Sequence, residues 1–331
     1  MFIIDTYPTA VLFCLMTMLC WGSWANTQKL AEARWRFELF YWDYVLGIVL
    51  LAVLFAFTLG SMGEGGRSFL ADVRQADSSN LWSAVIGGII FNAANILLGA
   101  AIAIAGMSVA FPVGIGLALV IGVVVNYINA PVGNGTILVF GVCSIVAAIL
   151  LNARAYRKLT VGAGTVSAKG LALSVVSGCM MGLFYKYVAA PMFPDFNLPE
   201  AGKLSPYTAV VFFALGILAS NFVFNTILMA RPFVGAPVPL KDYFRGSVRS
   251  HLTGLSGGLI WCIGMSFSII ASGKAGPAIS YGLGQGATVV AALWGIFIWK
   301  EFRAAPKGTD ALLYLMLGCY VIGLALIIAA R

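Results

Sequence analysis

The chain has 331 residues, of which 61% are hydrophobic and only 10% charged, with a net charge of +8. Its mean hydropathy is +0.96. An ordinary soluble domain carries about 25% charge, and disordered chains are more polar still, so both classes are excluded and a polytopic membrane protein remains. The basic residues fall between apolar runs, a pattern of membrane orientation and not of nucleic-acid binding.

Ten apolar segments are long enough to cross about 30 Å of hydrocarbon as helices. In chain order they are Thr9–Gln28, Phe37–Gly60, Leu81–Ala105, Ser108–Ile128 and Thr136–Leu151, then Gly170–Ala190, Pro206–Ala230, His251–Ser272, Gly276–Trp299 and Ala311–Ala330. Glycine-marked turns at Gly106 and at Lys274–Gly276 separate the third span from the fourth and the eighth from the ninth. The first residues, Met1 to Pro8, carry Asp5 and no basic residue, so the first span reads as a retained helix and not a signal peptide. Six cysteines, at 14, 20, 143, 179, 262 and 319, lie inside apolar runs without metal-like spacing and read as packing residues.

The loops after the odd-numbered spans hold 14 of the 20 basic residues, among them Lys29, Arg36, Arg154, Lys169, Arg249 and Lys300. The excess of positive charge on the cytoplasmic side places these loops inside and both termini outside an inner or plasma membrane. Trp35, Trp42, Trp82 and Trp299 fall near span ends and read as an interfacial aromatic belt.

A shift of 170 positions aligns residues 87–131 with 257–301 without a gap. Gly87, Gly88, Gly106, Gly114 and Gly116 then meet Gly257, Gly258, Gly276, Gly284 and Gly286. A weaker match, shifted by 160, sets Gly22 and Trp24 on Gly182 and Phe184. The expected fold is therefore an all-α membrane protein of ten helices in two five-helix repeats, 1–155 and 156–331. An odd number of spans per repeat turns the second copy upside down, the architecture of secondary transporters with a site near the midplane. The glycines also form small-residue strips that let helices approach closely.

Several stretches carry a family resemblance: Gly22-Ser23-Trp24, Tyr41-Trp42-Asp43-Tyr44, Thr58-Leu59-Gly60, Gly87-Gly88-Ile89, Asn95, Gly106-Met107-Ser108-Val109 and Asn126-Tyr127 in the first half. Phe196-Asn197-Leu198, Arg231-Pro232, Trp294-Gly295-Ile296 and Glu301 follow in the second. With them the chain resembles the drug/metabolite transporter superfamily, and within it the ureide permease family and its bacterial relatives. The sugar-uptake branches share the glycine turns. The loop Asn152–Lys169 is short, whereas plant ureide permeases carry a long cytosolic loop there, and no charge marks the middle of the fourth or ninth span. The resemblance implies a secondary active transporter of a small neutral polar metabolite, ureide or nucleobase-like, taken up with protons by alternating access. Glucose-, ribose- or rhamnose-type uptake and passive facilitation or export are the alternatives.

Polar groups in hydrocarbon need a partner or a water-lined cavity. Asn92 and Asn95 share a face of the third span at i and i+3, and their amides suit a ureide, a nucleobase or a sugar hydroxyl. Trp24 and Trp261 lie too deep for a belt and could stack on a planar ring. Tyr281 and Gln285 share a face of the ninth span, whose counterpart in the superfamily lines the substrate path. These six are the expected substrate-binding residues, with interhelical hydrogen bonds and plain packing as the competing roles. Asp43, the one carboxylate within an apolar run, is a candidate for proton coupling, or a headgroup-zone residue paired with Arg36 or Lys29. Lys186 is either a snorkelling lysine or a cation standing in for a coupling ion, aligned by the repeat with Asn26. Glu301 is a candidate gate partner for a basic loop residue, and the lone His251 reads as non-functional. No catalytic constellation, metal-ligand cluster or phosphate-binding loop occurs, so neither an enzyme nor a cofactor is expected. The expected partners are a small-molecule substrate and the lipid bilayer, with a proton gradient as the driving force and sodium as the alternative. Monomer and homodimer fit the sequence equally.

Overall fold

A computed structural model of the chain describes residues 1–32, 34–105, 107–159, 167–303 and 305–331. Ten of its helices are long and apolar enough to span a membrane: α1 Tyr7–Lys29, α2 Phe37–Phe57, α3 Ser78–Ala105, α4 Pro112–Asn129, α5 Gly135–Lys158, α6 Ala168–Ala189, α7 Pro206–Ala230, α8 Val248–Ala275, α9 Pro277–Ile298 and α10 Thr309–Ala329. The protein is an integral, multi-pass membrane protein. Helices suit this solvent because lipid offers no partner to a free backbone N–H or C=O. Their starts are written locally. Ser205, Ser167 and Ser247 each accept a hydrogen bond from a backbone N–H of the first turn, and Pro8 and Pro206 occupy first-turn positions where no helical bond is lost. The eighth and ninth spans meet as expected at Gly276, whose φ of 83° permits the sharp turn into Pro277. Its counterpart, Gly106, lies outside the described residues.

Helices α2, α8 and α9 are the most enclosed, while α1 and α10 are the most open to the surroundings. The principal packing pairs are α3 with α6, α4 with α6, α2 with α8, α3 with α7, α1 with α8, α1 with α9, α2 with α7 and α5 with α10. Moving every label by five exchanges these pairs among themselves. The exchange extends to single atoms. A Cβ on Gly22 of α1 would meet Ala287 O and Val290 Cβ of α9, and one on Gly182 of α6 would meet Ala118 O and Ile121 Cβ of α4. Gly88 sits against the Phe213 carbonyl and Gly258 against the Tyr44 carbonyl, each crossing too close for any side chain. Gly116 departs from the small-residue strip, since nothing lies within 4 Å of a Cβ placed there.

Two of the spans are interrupted, where unbroken helices were expected. Helix α1 ends its first segment at Ser23 and resumes as Asn26–Lys29. Helix α9 divides into Pro277–Gly284 and Ala287–Leu293, followed by a π-helical turn at Trp294–Ile298. At both breaks the backbone tightens to i→i+3 bonding, and a threonine hydroxyl donates to the carbonyl three residues back: Thr27 to Trp24 at 2.8 Å and Thr288 to Gln285 at 3.1 Å. Sequence periodicity hides such breaks because the apolar run continues through them.

Other expectations change as well. Of the four belt tryptophans, Trp82 is exposed at 63%, but Trp35 is buried beneath Tyr243 and His251. Trp42 donates to Met229 Sδ, and Trp299 to Asn26 Oδ1 at 2.6 Å. All six cysteines are free, and Cys143 is exposed where packing was expected.

Candidate functional site

The two breaks lie side by side and line one cavity of about 780 Å3, within the range of small-molecule sites. It opens at the end of the molecule that carries Gln28, Lys29, Arg36 and Glu301. Toward the other end the path is filled. Tyr185 of α6 bonds Ser268 of α8 at 2.9 Å, Ser280 of α9 donates to the Ser268 carbonyl at 2.6 Å, and Cys14 of α1 meets Ser280 at 3.6 Å, all fully buried.

The deep wall is aromatic. Trp21 and Trp261 stack with centroids 5.8 Å apart and planes 12° from parallel. Phe91 lies 4.4 Å from Trp261, and Trp24 lies 4.6 Å from Tyr44. Such rings offer flat, apolar faces at little entropic cost. Some polar groups on the same cavity are open. The Gln285 side-chain amide, at the α9 break, has no hydrogen-bond partner among the described residues, and neither have the indole N–H groups of Trp24 and Trp261. Asn95 gives one N–H to Tyr41 Oη at 3.2 Å and leaves its Oδ1 free. A neutral planar ligand with both N–H and C=O groups meets each of these needs. A buried ion finds no counter-charge on the deep wall.

Four of the six expected binding residues, Trp24, Asn95, Trp261 and Gln285, line the cavity. Asn92 does not. Its amide is fully buried, accepting from Tyr41 Oη at 2.9 Å and donating to Ser220 Oγ at 2.9 Å. An i, i+3 pair stands about 60° apart around a helix, enough to turn Asn92 to α7 while Asn95 faces the cavity. Tyr281 is also displaced from the path. Its single hydroxyl proton is shared between the carbonyls of Ala118 (3.1 Å) and Met181 (3.0 Å), tying α9 to α4 and α6. Lys186 lies half-buried away from the cavity and has no polar side-chain partner among the described residues.

Asp43 departs most from expectation. It pairs with neither Arg36 nor Lys29. His251 Nδ1 lies 3.0 Å from both of its oxygens, and the Tyr243 hydroxyl donates to Oδ1 at 2.6 Å. Thus His251, which the sequence reading set aside as non-functional, joins α8 to α2 through Asp43. Arg36 instead pairs with Glu38. Burial, and the Asp43 carboxylate beside it, push the Tyr243 phenol above its ordinary range.

Glu301 closes the rim of the cavity. It pairs with Lys29 at 3.1 Å and accepts from the Tyr156 hydroxyl at 2.6 Å, while the Lys29 ammonium sits 4.6 Å from the Trp299 ring centroid. The Trp294 indole donates to Ser23 Oγ at 2.9 Å and ties the α1 break to the end of α9. Both members of the Lys29–Glu301 pair are partly exposed, and such a pair contributes at most about 1 kcal/mol. Sequence reading missed Trp21, Tyr41, Phe184 and Thr288. Trp21 was accessible to it, standing three residues before Trp24.

A family model described as ureide permease matches residues 40–161 and 156–330. The chain is similar to Ureide permease 1 of Arabidopsis thaliana, 23% identical over 100% of this chain and 99% of that protein. It is 24% identical to Ureide permease 4 of the same plant, again over 100% of this chain and 99% of the relative. Probable ureide permease A3 of Vigna unguiculata is 27% identical over 45% of this chain and 41% of its own length. A solved protein crystal structure superposes with a TM-score of 0.56 at 16% identity, covering 98% of this chain and 99% of that one, a likeness of fold alone.

Proposed function

The chain belongs to the ureide permease family, and from that premise we propose that it is a secondary transporter of a small neutral ureide, with nucleobases as related ligands. One observation carries the reading: four hydrogen-bonding side chains without full protein partners, Trp24, Asn95, Trp261 and Gln285, converge on an aromatic-walled cavity at two broken helices. Broken helices at a midplane site are characteristic of secondary transporters.

The two five-helix repeats, 1–155 and 156–331, are inverted copies in this proposal, and the exchange of packing partners supports that reading. Membership of the wider drug/metabolite transporter superfamily is part of the same proposal. Alternating access follows from rocking one repeat against the other around the cavity. With the basic loops in the cytoplasm, both termini are outside and the cavity is open inward, sealed outward by the Tyr185–Ser268–Ser280 cluster. Proton coupling is assigned to Asp43, with His251 and Tyr243 as its partners.

The test is uptake of radiolabelled allantoin into proteoliposomes holding the full chain. Saturable uptake that rises with an inward proton gradient and collapses with a protonophore is the expected result. Uptake indifferent to the gradient makes the protein a facilitator and removes Asp43 from coupling. Sugar uptake without ureide uptake overturns the substrate class.

A further inference from the structure

Behind the cavity wall, four side chains from three helices form a directed hydrogen-bond chain whose polarity is set from its far end. Ser220 of α7 donates to the Gly216 carbonyl at 2.8 Å, so its oxygen is left to accept. Asn92 Nδ2 donates to that oxygen at 2.9 Å and to the Ile217 carbonyl at 3.3 Å. A backbone carbonyl only accepts, so the Asn92 amide has one permitted orientation, with Oδ1 toward α2. Tyr41 of α2 must then give its single proton to Asn92 Oδ1, at 2.9 Å. The Tyr41 oxygen accepts in turn from Asn95 Nδ2 at 3.2 Å. Asn95 is thereby turned with Oδ1 as the atom left open to the cavity. Asn92 and Tyr41 are fully buried and Ser220 nearly so, so water does not compete for these bonds.

We propose that this relay makes Asn95 a fixed hydrogen-bond acceptor, and that Tyr41 and Asn92 act as positioning residues requiring the ligand to present an N–H at that point. The inference rests on the ureide reading and sharpens it. Asn95 demands a donor, while the indole N–H groups of Trp24 and Trp261 demand acceptors. The unpartnered Gln285 amide is free to rotate and takes either. A ring that alternates N–H and C=O meets both fixed demands. A ring of the same shape with its nitrogens methylated leaves the Asn95 oxygen buried and unpaired. An unpaired buried acceptor costs enough to lower affinity by about five- to a hundredfold.

The experiment measures ligand binding to the purified full chain with two pairs of rings: hydantoin against 1,3-dimethylhydantoin, and uracil against 1,3-dimethyluracil. The wild type should prefer the unmethylated member by about tenfold or more. In Tyr41→Phe the Asn95 amide can flip, and the preference should fall to within about threefold. Asn92→Leu frees the Tyr41 proton to turn toward Asn95 Oδ1, so its preference should fall further or invert. Melting curves establish that each variant is folded. A steric clash with the methyl groups would persist in Tyr41→Phe, because Tyr41 does not line the cavity. A preference retained in both folded variants, or absent from the wild type, overturns the relay alone. Binding of neither parent ring overturns the ureide reading together with it.

Discussion

Replacing Gly22 by alanine tests whether the seam between the broken helices is as tight as it is drawn. A Cβ on Gly22 would lie 2.5 Å from both Ala287 O and Val290 Cβ, about 0.9 Å inside the 3.4 Å lower edge of ordinary contact. Neither neighbour is the free end of a flexible side chain, so α1 has to move away from α9. Overpacking of this kind costs about 1–3 kcal/mol, offset by up to about 1 kcal/mol of helix propensity. A net loss of about 1–2 kcal/mol lowers the melting temperature by about 1–3 °C for a chain of this size. The control is Gly318→Ala on α10, where nothing lies within 4 Å of the new Cβ and only the propensity gain remains. Its melting temperature should hold or rise. Gly22 also lines the cavity, so ligand affinity should fall with stability in Gly22→Ala alone. Equal melting temperatures for the two variants would refute the close α1–α9 crossing.

Three further outcomes follow from named contacts. Asp72 is fully buried, pairs with Arg67 at 3.1 Å and accepts from Ser205 N–H at 2.7 Å. Asp72→Ala should therefore cost about 3 kcal/mol and expose the 191–205 loop to protease, read by melting and limited digestion. The raised Tyr243 phenol keeps its proton in the folded state while the unfolded phenol ionises near pH 10. Its contribution to stability is thus complete below pH 10 and lost as pH rises beyond it, and Tyr243→Phe should flatten that alkaline decline in denaturant titrations. Lys29→Ala removes an exposed pair, so stability should change by less than about 1 kcal/mol, measured by melting at low and high salt.

The ten spans were legible because lipid imposes one length and one kind of backbone solution on every crossing. Gly22, Gly88, Gly182 and Gly258 were legible for a related reason: helices that cross closely tolerate little else. Within the site, Trp24, Asn95, Trp261 and Gln285 could be read because buried polar or amphipathic groups at mid-span need a use. Asn92 and Tyr281 could not be separated from them, since a shared helical face does not say which neighbour it meets. The partner of Asp43 was hidden for another reason. His251 lies 208 positions away, and local sequence offered Arg36 and Lys29 first. The breaks in α1 and α9 left no mark in the apolar pattern, although the run Gly282, Gly284, Gly286 beside Gln285 held the composition that permits one.

In the proposed function a neutral ureide binds between the aromatic wall and the open amides of this cavity. Titration of the purified protein's tryptophan fluorescence with allantoin tests it most directly, because Trp21, Trp24 and Trp261 all face the proposed ligand. A saturable change in emission is expected, weakened at least tenfold in Gln285→Ala and lost in Trp261→Ala, with both variants folded. No saturable change with allantoin, or the same affinity in Gln285→Ala, would contradict it.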